Sequence, residues 1–238
     1  MDIKEFLMEA SMAHGVSGFE YMSIKDLVRD YMTVLVDEIH SDVLGNVIGV
    51  KRGDGPQPHP KVMLAGHMDE VGMMVTKIEE GGFLRFATSG IDPRVLPGHE
   101  VVVHGRRSLT GIVGTKPPHL SSPEESGKPQ QAKDLFIDVG LPEHEVRALI
   151  TVGDVATYKR EVTELMGGLM AGKSLDDRAG VAVILVCLDE LRKYDFCADV
   201  YGVATTQEET GSQGAAASVY AIDPHIGIAI DVCQGDTP

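Results

Sequence analysis

The sequence predicts an α/β protein in which a mixed, mostly parallel sheet is flanked by helices and a small β-barrel-like domain is inserted. Three observations favour this class: amphipathic helical spacing near the amino terminus, short apolar runs typical of buried strands, and a central stretch of short glycine-rich strands. We therefore expect two domains in the 238 residues. The first is a discontinuous α/β domain, residues 1–70 plus 163–238, and the second is an inserted β domain, residues 71–162.

Two helices are expected at the amino terminus. Apolar residues recur at helical spacing over residues 2–13 and predict the first helix. Ser17 is followed three residues later by Glu20, which is a capping-box pattern and predicts that the second helix opens there.

Strands are expected to follow these helices. Residues 35–39 and 43–50 predict two strands joined by a polar turn. The run KVMLAG is continuously apolar, as in a strand covered on both faces, and it ends at His67.

The pattern of predicted strands and helices changes twice along the rest of the chain. Short strands with frequent glycines occupy residues 71–159, interrupted by a polar loop over 117–133. After Val162 the α/β texture returns, with a helix over 177–194 and the strands VYGVATT and IGIAIDV. This order predicts that the sheet resumes after the inserted domain.

Charge and composition exclude several classes of partner. The formal charge of −15 repels phosphate backbones and anionic lipid headgroups, so we expect neither nucleic acid nor a membrane as a partner. The sequence contains no apolar run of about 20 residues, which is the length of a membrane-spanning helix. The three cysteines have neither disulfide-framework nor zinc-ribbon spacing, which indicates a cytoplasmic protein.

Potential metal ligands stand at the ends of three predicted strands. These residues are His67, the doublet Glu208 and Glu209, and Asp231. Ligands of open α/β sheets gather at the carboxyl ends of strands, so these side chains could converge although they lie far apart in sequence. The alternative is that strand ends simply expose polar residues, and no single position decides between the two.

A further pair of acids, Asp176 and Asp177, lies where a loop enters the long helix. Acidic residues at a helix start also complement the helix dipole, so the pair taken alone is explained as a cap. In company with His67 and the other acids it completes a donor set for zinc or cobalt. A two-metal hydrolytic site also needs a base that is not a ligand, and the doublet Glu208 and Glu209 can supply one ligand and one base.

Four motifs occur in one order: GHMDEVG, SLDDRAG, TTQEETGSQGA and AIDV. In this order they resemble the M42 family, the glutamyl or tetrahedral aminopeptidases, some members of which have carried cellulase labels. The resemblance extends over essentially the whole chain. It implies a zinc-peptidase-like fold and a metal-dependent aminopeptidase.

The resemblance also implies roles for individual residues. Metal ligands would be His67 and Asp231 on the first ion, Glu209 on the second, and Asp176 bridging both. Glu208 would be the general base, and Asp69 would accept the second imidazole N–H of His67 and fix its tautomer. The peptide bond between Asp176 and Asp177 would be cis, as in related enzymes.

The chain departs from the family at its carboxyl end. Family members are about half as long again, and their fifth protein ligand is a histidine near the carboxyl terminus. This sequence stops at QGDTP, directly after the predicted strand that carries Asp231. We therefore expect a truncated chain whose catalytic competence is in doubt.

Cofactors and partners follow from the same resemblance. We expect two divalent ions per subunit, zinc or cobalt with manganese as an alternative, together with peptide substrates. A homo-oligomer is also expected, with dimers built by the inserted domain and joined into a dodecamer. Two rival hypotheses stay open: a glycosidase, because paired acids also cleave glycosides, and a non-catalytic module for metal binding or assembly.

Overall fold

The computed structural model describes residues 1–117 and 130–235, so most of the polar loop predicted over 117–133 lies outside the described residues. The chain divides into two compact units, residues 1–70 with 161–238, and residues 71–160. The helices are α1 (Ile3–Met12), α2 (Ile24–Thr33), α3 (Glu143–Leu149), α4 (Leu175–Leu191) and α5 (Gln213–Ile222). The strands are β1 (Glu38–Ser41), β2 (Val47–Lys51), β3 (Lys61–His67), β4 (Gly72–Ile78), β5 (Leu84–Ser89), β6 (Glu100–His104), β7 (Ser108–Thr115), β8 (Leu135–Asp138), β9 (Val155–Tyr158), β10 (Thr163–Leu165), β11 (Leu169–Ala171), β12 (Asp199–Thr205) and β13 (Ile226–Ala229).

The first unit is built on a five-stranded mixed sheet in the order β1-β2-β12-β3-β13. β12 and β13 both run parallel to β3, whereas β2 pairs antiparallel with β12 and with β1. Because the three parallel strands run in one direction, their carboxyl ends lie at one edge of the sheet. This arrangement confirms the predicted α/β class.

Helices cover both faces of this sheet because side chains alternate along each strand. Leu64 of β3 packs in a core with side chains of α1, α2 and α4, including Phe6 and Leu185. Its neighbour Met63 points to the other face and joins a second cluster that includes Ile222 of α5. The continuous apolar run before His67 is therefore explained by burial on both faces.

The capping box predicted at Ser17 and Glu20 is wrong. The helix starts later, at Ile24, after a short 3-10 turn over Glu20–Met22. The hydroxyl of Ser17 lies 2.9 Å from that of Thr210, far along the chain, and buried Glu20 accepts a hydrogen bond from the Gln207 amide at 2.9 Å. The two side chains that a local cap would have used therefore make tertiary contacts instead.

The second unit is a closed six-stranded barrel in the order β4-β5-β8-β7-β6-β9. Its strands pair antiparallel, and alternate residues such as Val101, Val103 and Ile137 fill the interior. The side chain of Val146 in α3 adds to the same apolar core. The predicted β-barrel-like insertion is thus confirmed as a fold.

Among the described residues, no helix combines the length and the apolarity that crossing a bilayer would require.

Helix α4 provides a test of the core. Leu185 is fully buried, whereas Val183 on the same helix is 48% exposed. We expect Leu185→Ala to lower the free energy of unfolding by about 2–5 kcal/mol, because it leaves a cavity. Val183→Ala should change it by less than about 0.5 kcal/mol. Denaturant unfolding measures both, and equal effects of the two substitutions would contradict this packing.

Candidate metal centre

His67 is the last residue of β3, and its ring is held at the carboxyl edge of the sheet. Nδ1 lies 3.2 Å from the carbonyl oxygen of Asp69 and 3.4 Å from Oδ1 of the Asp69 carboxylate. Nε2 faces the other way, 3.1 Å from Oδ1 of Asp176 and 3.9 Å from Oε2 of Glu208. In the neutral ring, a proton on Nδ1 leaves the Nε2 lone pair directed at these carboxylates.

Asp69 holds the segment that carries the glutamate doublet. Its buried carboxylate accepts two hydrogen bonds, one from the Glu208 amide on Oδ1 at 3.0 Å and one from the Glu209 amide on Oδ2 at 3.2 Å. Burial opposes ionisation, but the His67 ring and the two amides outweigh it and lower the pKa of Asp69. Asp69 thus contacts both His67 and the doublet, whereas the sequence predicted only the first contact.

The paired aspartates open α4, and the peptide bond between them is cis, which confirms that expectation. Asp177 is fully buried. Its Oδ2 accepts a hydrogen bond from the His67 amide at 3.2 Å, and its Oδ1 accepts one from the Gly180 amide at 3.0 Å. A Cβ on Gly66 would lie 2.9 Å from Asp177 Oδ2, so glycine makes room for this carboxylate. Burial raises the pKa of Asp177 to about 7. Asp176 is different, because 60% of its side chain is exposed.

Two triplets of donor atoms meet at this edge. His67, Asp177 and Asp231 form one, His67, Glu208 and Glu209 form the other, and the donors of each lie within 4.8 Å of one another. The structure therefore brings together every residue that the sequence singled out, including Asp176 through its contact with Nε2. Imidazole nitrogen with several carboxylate oxygens is a donor set that suits zinc, cobalt or manganese.

Asp177 is the residue to which the sequence assigned no role. It belongs to a donor triplet, whereas its neighbour Asp176, expected to bridge two ions, belongs to neither. The adjacency of the two acids was the only signal for Asp177. Their unequal burial depends on how α4 meets β3, which a local pattern does not show.

The electrostatics of the site favour a bound cation. Burial lowers the pKa of His67, but the carboxylates of Asp69, Asp177 and Asp176 outweigh that effect and raise it to about 9. Burial also raises the pKa of Glu209. In the absence of a metal ion, a proton on the imidazole thus offsets part of the crowded negative charge.

Three further side chains form what we call the buried ion cluster: Glu70, Lys173 and Arg178. The Lys173 ammonium lies 2.7 Å from Glu70 Oε2, and Arg178 Nη2 lies 3.5 Å from Glu70 Oε1. Arg178 is fully buried and donates from Nε to the Met68 carbonyl at 3.1 Å. The cluster therefore joins the segment after His67 to the start of α4, which carries Asp177.

The chain is similar to known peptidases over most of its length. A family model described as M42 glutamyl aminopeptidase matches residues 45–238. A putative aminopeptidase of Acetivibrio thermocellus is 36% identical over 239 residues, which cover 100% of this chain and 68% of that protein.

Solved structures give the same relationship. An aminopeptidase from the archaeon Desulfurococcus kamchatkensis superposes with a TM-score of 0.90 at 41% identity, over 99% of this chain and 64% of that one. The TET1 peptidase of Pyrococcus horikoshii gives a TM-score of 0.85 at 30% identity, over 100% of this chain and 72% of that one. It is described as assembling into a tetrahedron or a large octahedral shell. The chain thus spans about two thirds of the length of the proteins it matches.

The pKa of His67 predicts how stability depends on pH in a chelator-treated sample. A folded pKa of about 9 against 6.5 for the free ring means that the charged ring stabilises the fold below pH 6.5. This contribution is lost as the pH rises through about 9. We expect the difference in unfolding free energy between the parent and His67→Gln to shrink across that window. A difference that stays constant with pH would contradict the assignment.

Proposed function

Because the chain belongs to the M42 glutamyl aminopeptidase family, we propose that it hydrolyses the amino-terminal residue from peptides. The observation that carries this proposal is the convergence of His67 with acids from three separate segments at one edge of the sheet. Members of the family are metal-dependent, and the donors present in this chain suit divalent ions. The substrate is proposed as a peptide with a free amino end.

The candidate ligands are His67, Asp176, Glu209 and Asp231, with buried Asp177 available beside them. Two bound divalent ions, zinc or cobalt with manganese as the alternative, would polarise the scissile carbonyl, acidify a water molecule and hold the free amino group of the substrate. Anchoring of a free amine would restrict cleavage to the first residue. The proposed products are one amino acid and a peptide shortened by that residue.

Glu208 is the proposed general base. Its Oε2 lies 3.9 Å from His67 Nε2, and Oε1 accepts a hydrogen bond from the Ser212 hydroxyl at 3.2 Å. About 39% of its side chain is exposed, so the carboxylate can reach a water molecule or a substrate. Glu208 would take a proton from the attacking water and return it to the nitrogen of the leaving amine as the peptide bond breaks.

Asp69 is proposed as a positioning residue for this reaction. It contacts Nδ1 of His67 and both amides of the doublet, so it fixes the imidazole and the base relative to each other. Such partners of ligating histidines commonly set ring orientation and ligand basicity.

The two rival functions fit less well. A glycosidase places its two carboxyl groups about 5–9.5 Å apart on opposite sides of a sugar. In this chain, donor oxygens of Glu208 and Glu209 lie within 4.8 Å of each other and of a ring nitrogen of His67. The sequence also contains no tryptophan to stack on a sugar ring. A metal-binding assembly module would need the donor set but not a base beside it, so a measurement of peptide hydrolysis separates it from the enzyme.

We also propose that the chain forms homo-oligomers, with dimers built by the inserted domain, residues 71–162, and a dodecamer built from dimers. Support comes from the structural similarity to a peptidase described as assembling into a tetrahedron or an octahedral shell.

Replacement of the base tests the mechanism. We expect Glu208→Gln to lower kcat for a peptide substrate by about 10²–10⁴-fold, because proton transfer is lost. Metal content, measured by elemental analysis after dialysis, should stay unchanged.

The matched control is Glu190→Gln, which removes a carboxylate half exposed on α4 and paired with Lys193. This control should retain the parent's activity. Undiminished turnover in Glu208→Gln would refute the role of the base. A parent chain that binds metal but hydrolyses no peptide would instead support the assembly module.

A further inference from the structure

Four consecutive backbone amides follow β12 through the glutamate doublet, and each is bound by a side chain from elsewhere. Asn46 Oδ1 accepts the Thr206 amide at 2.8 Å, and Glu20 Oε1 accepts the Gln207 amide at 2.9 Å. The two oxygens of Asp69 accept the next two amides. This segment, residues 206–209, is therefore held by three acceptors that come from the amino-terminal part of the chain.

Gln207 is the position in this segment where the backbone conformation needs support. Its φ is 56°, in the left-handed region that residues with a side chain rarely adopt. The neighbouring Glu208 and Glu209 belong to the donor triplet with His67, so the direction of both side chains depends on the backbone at Gln207. A hydrogen bond from the Gln207 amide favours this conformation over the alternatives.

Glu20 supplies that hydrogen bond from a buried position. It is 3% exposed, and the same Oε1 also accepts the Gly18 amide at 2.9 Å, which fixes the carboxylate relative to its own turn. A buried acid from a 3-10 turn thus reaches a residue that is distant in sequence, immediately before the proposed base. Local capping does not explain this contact, because α2 begins at Ile24 and Ser23 makes no side-chain cap.

We propose that Glu20 is a positioning residue for the Glu208 and Glu209 doublet, acting as the acceptor that fixes the Gln207 backbone. The functional consequence rests on the proposed function, because it assumes that Glu209 binds a metal ion and Glu208 is the base. The structural half of the proposal, that Glu20 restrains residues 206–209, does not depend on that assumption. The essential property of Glu20 is an acceptor oxygen at this distance, not its negative charge.

The test compares three substitutions at one site. Glu20→Met keeps the volume and removes the acceptor, and Glu20→Asp keeps the charge but withdraws the oxygen by one methylene. Glu20→Gln keeps an acceptor oxygen at the same reach. The control is Asp199→Leu, which removes a second buried acid, at the amino end of β12, where its carboxylate binds Arg52, His59 and the Gly53 amide.

The first measurement is amide hydrogen exchange of a peptide containing residues 206–209 in metal-free protein. We expect exchange to accelerate at least about 10-fold in Glu20→Met and in Glu20→Asp, because the segment opens locally. Glu20→Gln and Asp199→Leu should stay within about threefold of the parent. Unchanged protection in Glu20→Asp would overturn the proposal even if Glu20→Met did not fold.

The second measurement is calorimetric titration of the metal-free variants with Zn²⁺ or Co²⁺. Loss of the acceptor should weaken binding by about 10-fold or more, as is typical when a group that orients a metal ligand is removed, whereas Glu20→Gln should bind as the parent does. Equal loss in Glu20→Gln and Glu20→Met would overturn the acceptor role. If the parent bound no metal ion, the proposed function would fail, and hydrogen exchange would still decide whether Glu20 positions the segment.

Discussion

Repulsion among carboxylates gathered at the carboxyl edge of the sheet is the constraint on which the rest of this structure depends. The acids concerned are Asp69, Asp176, Asp177, Glu208, Glu209 and Asp231. Four of them meet because β12 and β13 run parallel to β3 on either side of it, so that three chain segments leave the sheet at one edge. Asp176 and Asp177 join them from the start of α4, where both contact His67. Like charges this close are tolerated only when protons, hydrogen bonds or cations offset them.

Hydrogen bonds and protons offset part of this negative charge. Backbone amides bind the Asp69 carboxylate, and burial raises the pKa of Asp177 to about 7. A proton on His67 neutralises part of the charge in the metal-free state. The carboxylate of Glu70, next to Asp69 in sequence, is paired separately with Lys173 and Arg178. A divalent ion at Nε2 would take over the role of the His67 proton and bind the carboxylates directly.

Sequence patterns predicted the parts of this arrangement that depend on local order. The apolar run before His67 indicated a strand covered on both faces, and polar residues at the ends of predicted strands indicated where donors could meet. A β-barrel-like insertion was predicted from short glycine-rich strands, because that pattern is local; the closure of the six strands is seen only in the structure. Local sequence patterns could not show which residues, distant in sequence, contact one another in the fold.

Glu20 shows the limit most clearly. Its spacing from Ser17 matches a capping box, but its carboxylate is buried against Gln207, a contact that exists only after α2 and β12 pack in one unit. Asp177 and the buried ion cluster are similar cases, since their burial follows from tertiary packing of α4 against β3. Asp69 was predicted as a partner of the imidazole, and its hydrogen bonds to the doublet amides became visible only with the fold.

Anomalous diffraction from crystals grown with Zn²⁺ or Co²⁺ decides whether this edge of the sheet is a metal centre. We expect an anomalous peak about 2.0–2.1 Å from Nε2 of His67, within coordination distance of carboxylate oxygens from the start of α4 and from the segment after β12 or β13. Crystals that contain the metal elsewhere and show His67 bonded only to Asp69 and Asp176 would contradict it.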